Sequence, residues 1–75
     1  MTTAFVLINT ETGSKVLPDL KKIDGVQEAF AVYGVYDIIA RVHAESMVKL
    51  KELITWRIRR LENIKSTLTM IVMEE

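Results

Sequence analysis

Two phenols, a carboxylate and a glycine fall within five consecutive residues at Tyr33-Gly34-Val35-Tyr36-Asp37. Gathered at one end of a sheet, such a set can hold an amino-acid-like molecule. The Asp37 carboxylate would receive an ammonium group, and backbone N–H groups near Gly34 would receive a carboxylate. The same residues also suit an ordinary turn, in which Gly34 supplies the conformation, Asp37 satisfies its backbone and the tyrosines flank the strands. Thr67 and Thr69 alternate with apolar residues, so their hydroxyls share one strand face; they could hydrogen-bond a ligand or simply reflect threonine's β-preference. Arg41 and His43 also share a strand face, as an acid–base pair or as surface and interface residues. The basic run Arg57-Ile58-Arg59-Arg60, punctuated by Glu52 and Glu62, has the spacing of a solvated helix face.

Composition narrows the chemistry these residues can do. There are no cysteines and one histidine, so disulfides, thiolate zinc sites and an all-histidine metal site within one subunit are excluded, and no cofactor is implied. Ten basic residues balance ten acidic ones, which gives no reason to expect nucleic acid or an anionic membrane as a partner. The longest apolar stretch, Ala4 to Ile8, is too short to span a bilayer, and the N-terminus lacks the pattern of a signal peptide; both point to a cytoplasmic chain. Seventy-five residues leave room for a single domain over 1–75. At that size, and without disulfides or metal, self-association is the remaining means of reinforcing the core.

The elements that must position these groups follow from hydrophobic periodicity. Thr3 to Asn9 is β-branched and aromatic without alternation, as in a central strand buried on both faces. A helix follows, with Ser14 as its cap, Pro18 near its first turn, Val16, Leu20 and Ile23 on one face and Asp24-Gly25 as its stop. Val26 to Tyr33 and Tyr36 to His43 read as an antiparallel hairpin with a tight turn at Gly34-Val35. That pairing places Ala29, Ala31, Ile38, Ala40 and Val42 on one face and Phe30, Val32, Asp37, Ile39, Arg41 and His43 on the other. From Ser46 a helix of about four turns carries Met47, Leu50, Ile54, Ile58 and Leu61 inward, broadened by Leu53, and stops at Asn63. Ser66 to Met73 is the last strand. The order βαββαβ is the α+β ferredoxin-like arrangement, an antiparallel sheet with two helices on one face.

One sheet face is then left open, yet in the first strand Phe5 and Leu7 point one way and Ala4, Val6 and Ile8 the other, and in the last Leu68, Met70 and Val72 are backed by Ile71 and Met73. Stacking two such faces gives a sheet-to-sheet homodimer, a dimeric α+β barrel. Trp56 lies opposite the helix core stripe, either as a second contact surface or as a ring resting on neighbouring aliphatic stems. RNA recognition on this sheet would need aromatics on both central strands, and the third strand has none inside it.

Asp24-Gly25-Val26 before the second strand, Gly34-Val35-Tyr36-Asp37 followed by Ile38-Ile39, and Thr67-Leu68-Thr69 opening the last strand together resemble the effector-binding domain of the Lrp/AsnC transcription regulators, in a stand-alone form with no preceding helix-turn-helix. The resemblance covers nearly the whole chain. It implies a non-enzymatic sheet-packed dimer, assembly of dimers into rings, and an amino acid effector bound where dimers meet. Gly34, Tyr36 and Asp37 would belong to the effector loop, with Thr67 and Thr69 nearby. Regulation would then run through a full-length Lrp/AsnC-type regulator or another partner. Two rivals stand beside it: a small dimeric ferredoxin-like enzyme of the oxygenase or isomerase type using His43, Tyr36 and Trp56, and an assembly module without a ligand.

Overall fold

A computed structural model describes residues 1–11 and 13–74, with the side chains of residues 13 and 14 outside the description. The capping role assigned to Ser14 therefore lies outside the described residues. The elements run β1 (Thr2–Thr10), α1 (Gly13–Lys21), β2 (Val26–Ala31), β3 (Ile38–Ala44), α2 (Met47–Glu52), a π-helical continuation over Leu53–Ile58, and β4 (Ile64–Ile71). All strand pairs are antiparallel, in the order β2-β3-β1-β4. This is the βαββαβ arrangement that the sequence order requires.

Register sorts the two sheet faces. Val6 sits opposite Ala40, Ile8 opposite Ile38 and Ala29 opposite Ala40. These residues are buried with Val16, Leu20 and Ile23 of the first helical segment and with Leu50, Ile54 and Ile58 of the second. The small side chains at the centre of that face let the helices approach closely. On the other face Phe5 lies opposite Met70, Leu7 opposite Leu68 and Ile39, and Phe30 opposite Ile39. Phe30, Leu68 and Met70 remain 53%, 46% and 49% exposed. The open apolar face expected from the strand pattern is therefore present.

The second helix differs from a plain four-turn α-helix. Ser46 caps it, its hydroxyl accepting the Lys49 N–H at 3.2 Å, but beyond Glu52 the turns widen and the Arg59 N–H donates to the Ile54 carbonyl at 2.9 Å. Leu50, Ile54 and Ile58 repeat every fourth residue, which drifts one way around a 3.6-residue α-turn. It drifts the opposite way around the wider π-turn, whose bonds span five residues. Joining the two geometries keeps all three side chains on the core. Asn63, at φ 71°, reverses the chain, and its carbonyl accepts the Glu11 N–H at 2.8 Å. β4 consequently starts two residues earlier than hydrophobicity alone suggests.

The tight turn expected at Gly34-Val35 is a wider loop over residues 32–37, closed by the Val32 N–H donating to the Asp37 carbonyl at 2.8 Å. The physical cause is β1: the Asp37 N–H donates to the Ile8 carbonyl at 3.0 Å, drawing the chain across the sheet before β3 begins. Gly25, which ends the α1 region, has φ +99°, and a Cβ there would stand 2.7 Å from Leu53 Cδ2 and 3.0 Å from the His43 carbonyl oxygen. Gly25→Ala is accordingly expected to cost about 1–3 kcal/mol. It should be read as a lower urea midpoint; an unchanged midpoint would contradict this packing.

Candidate functional site

The end of the sheet nearest the 32–37 loop collects most of the distinctive chemistry. The Asp37 carboxylate, half-buried, accepts the Thr10 backbone N–H at 2.8 Å through Oδ2 and lies 3.5 Å from the Thr10 hydroxyl. Thr10 is itself buried at the end of β1. Around this contact opens a cleft of about 400 Å³ whose polar rim is Thr10, Glu11 and Asp37 and whose apolar wall includes Leu17, Ala31 and Val32. Among the described residues two carboxylates and no basic residue line it, so its field favours a cationic group.

The loop that ends at Asp37 carries unpaired backbone donors. Among the described residues, none of the N–H groups of Tyr33, Gly34, Val35 and Tyr36 donates to a backbone carbonyl. Gly34 has φ 156° and nothing within 4 Å of where a Cβ would be, so its backbone is open to approach. Tyr33 and Val35 project fully into solvent and Tyr36 is half-buried.

Of the residues singled out by sequence, Asp37 lines the cleft, whereas Gly34 and Tyr36 belong to the same loop but not to the cleft lining. Thr67 and Thr69 stand apart. They pair with Ile8 and Val6, so they face the helical side of the sheet from the edge strand β4. Two strand spacings, about 10 Å, separate β4 from β3. Thr10, Glu11 and Leu17 join Asp37 only through the pairing of β1 with β3 and the return of α1, and no local motif marks them.

The remaining candidates behave differently. Arg41 is ion-paired with Glu28 across β2 and β3, which commits its guanidinium. His43, half-buried on the open face, borders a groove with Thr3, Gln27, Arg41 and Glu74, and among the described residues no side-chain hydrogen bond orients its imidazole. Among the described residues no group of three potential ligands could hold a metal ion, and no helix is long and apolar enough to cross a membrane.

This architecture has close counterparts. The structure superposes on the crystal structure of FFRP-DM1 with a TM-score of 0.92 at 39% identity, covering 97% of this chain and 100% of that one. It also superposes on a feast or famine regulatory protein of M. tuberculosis complexed with L-methionine, with a TM-score of 0.84 at 26% identity over 100% of this chain and 52% of the other. An uncharacterised HTH-type transcriptional regulator of Pyrococcus furiosus is 32% identical over 75 aligned positions, 93% of this chain and 50% of its own length. The chain thus spans about half the length of the curated regulators it matches. Residues 3–75 fit the model of the Lrp/AsnC ligand binding domain. With the strand order, the helical face and the sequence match agreeing over the same residues, the chain belongs to the Lrp/AsnC ligand-binding-domain family.

Proposed function

We propose that this chain is a non-enzymatic, amino-acid-responsive assembly domain that folds as one unit over 1–75 and acts on a regulatory partner. One observation carries the reading: the half-buried Asp37 carboxylate borders a cleft with an aliphatic wall and ends a loop whose 33–36 N–H groups donate to no backbone carbonyl among the described residues. An ammonium group would meet Asp37 and Glu11, a carboxylate would meet the N–H groups of the 33–36 segment, and an apolar side chain would lie along Leu17, Ala31 and Val32. That division into a polar end and an apolar wall is what ligand sites use to orient a small zwitterion. The complex of the M. tuberculosis relative with L-methionine makes uncharged apolar amino acids the first to test.

The open apolar sheet face supports a homodimer formed by stacking two sheets, and the exposed Tyr33 and Val35 at the loop tip support further contacts between dimers in a ring. Gly34, Tyr36 and Asp37 would contact the effector directly. Thr67 and Thr69, from their position on β4, would reach it only across such a contact. A regulator carrying the same domain, with the same open face, is the natural partner for co-assembly. Calorimetric titration with each standard amino acid tests the sensing role. Saturable heat is expected from a small apolar subset, and silence with every amino acid would remove it.

A further inference from the structure

The outer face of the second helical segment carries chemistry that neither the cleft nor the open sheet uses. Five of the ten basic residues of this neutral chain, Lys49, Lys51, Arg57, Arg59 and Arg60, fall between positions 49 and 60, where the sole acidic residue is Glu52. All five are exposed. Lys49 pairs with Glu45 at 3.1 Å, whereas among the described residues no carboxylate lies within ion-pair distance of the other four. Trp56 sits at their centre, 59% exposed, with the Arg60 guanidinium 4.9 Å from its ring centroid. Beside it runs a groove of about 470 Å³ bordered by Glu52, Leu53, Trp56 and Arg57, and Val48, 68% exposed, extends the apolar surface toward the start of the helix.

We infer that this helix face is a docking site for an acidic, amphipathic segment of another protein, whose apolar side chains lie against Leu53 and Trp56 and whose carboxylates meet Arg57 and Arg60. Tryptophan and arginine are the side chains that most often anchor protein interfaces. An arginine already stacked on an aromatic ring is partly ordered before a carboxylate arrives, which lowers the entropic cost of a bidentate contact. Charge complementarity selects the occupant: the patch is positive while the rest of the chain carries the compensating negative charge. A nucleic-acid backbone fits less well, because Glu52 lies in the groove and Glu45 and Glu62 flank it, interrupting the continuous positive track that phosphates require. The site lies on the helical layer, opposite the open sheet face, so stacking the sheets leaves it facing outward.

Trp56 is the only tryptophan, so its emission reports directly on the groove. The probes are a synthetic helical peptide of about sixteen residues with leucines on one face and glutamates on the other, the same peptide with serine replacing leucine, and a DNA duplex of about twenty base pairs. The leucine–glutamate peptide is expected to shift Trp56 emission saturably and to bind about tenfold more weakly when salt rises from roughly 0.05 to 0.3 M. Arg57→Glu with Arg60→Glu should weaken it by about tenfold or more, and Arg57→Lys with Arg60→Lys by less. Both substituted positions are on the surface, so the fold is not at stake. No emission change with the leucine peptide, equal binding of the serine peptide, unaltered binding by the charge-reversed variant, or tighter saturable binding of the duplex would each overturn the assignment.

Discussion

Leu68→Glu combined with Met70→Glu is expected to turn a dimer into a folded monomer. Both side chains lie on the open face of β4, opposite Leu7 and Phe5, and expose 46% and 49% of their area in the single chain. Fully burying such a side chain contributes roughly 1.5–3 kcal/mol, and about half of that remains to be gained on association. Two positions in each of two copies therefore account for about 3–6 kcal/mol of dimer stability, which corresponds to about two to four decades in the dissociation constant. Four carboxylates forced into an apolar contact weaken it further. The fold itself should survive, because the core lies on the helical side of the sheet and these two positions face away from it. Light scattering at micromolar concentration should return the mass of two or more chains for the native protein and of one chain for the variant. Val48→Glu, on the helical side, should leave the mass unchanged. A native protein already monomeric at that concentration, or a doubly substituted variant that still pairs, would end the sheet-stacking proposal.

The same face explains why so much of the fold could be read from residues alone. Strand β1 is apolar on both sides, and only a sheet covered by helices on one face and by something else on the other gives both sides a use. The Ala29, Ala40, Ile38 and Val42 alternation similarly required the helices to lie on the small-residue side, where the structure places them. What residue patterns did not reveal depends on contacts distant in sequence. The hairpin opens into a six-residue loop because Asp37 bonds to Ile8 and Thr10, some 27 to 29 positions away. The helix widens into π geometry because Leu50, Ile54 and Ile58 must all face one core, a demand that periodicity records but cannot convert into a turn size. For the cleft, the local motif contains Asp37, while Thr10, Glu11 and Leu17 enter only through register and helix return. Thr67 and Thr69 show the converse: alternation gave them a common face correctly, but nothing local says which face, or that β4 lies two strands from the loop.

Asp37 has two explanations, a backbone acceptor and an effector ligand, and a pair of substitutions separates them. Asp37→Asn retains an oxygen that can accept the Thr10 N–H, whereas Asp37→Ala leaves that half-buried donor without its present partner. The alanine variant should lose about 1–3 kcal/mol of folding stability, the cost of stranding a buried donor. The asparagine variant should stay within about 0.5 kcal/mol of native, as a near-isosteric exchange with the bond preserved. Binding should divide the other way. A charge-assisted bond from an ammonium group is worth about 1.5–3 kcal/mol, so removing the negative charge in Asp37→Asn should weaken any amino acid that gives calorimetric heat by about ten- to a hundredfold. Glu11→Gln, at the more exposed rim, should weaken it by less. The decisive result is affinity at constant stability. If the asparagine variant folds like the native protein and loses the effector, Asp37 holds the ammonium group. If it binds with native affinity, the carboxylate serves only the Thr10 backbone, and the effector must be held by the loop N–H groups and the apolar wall without it.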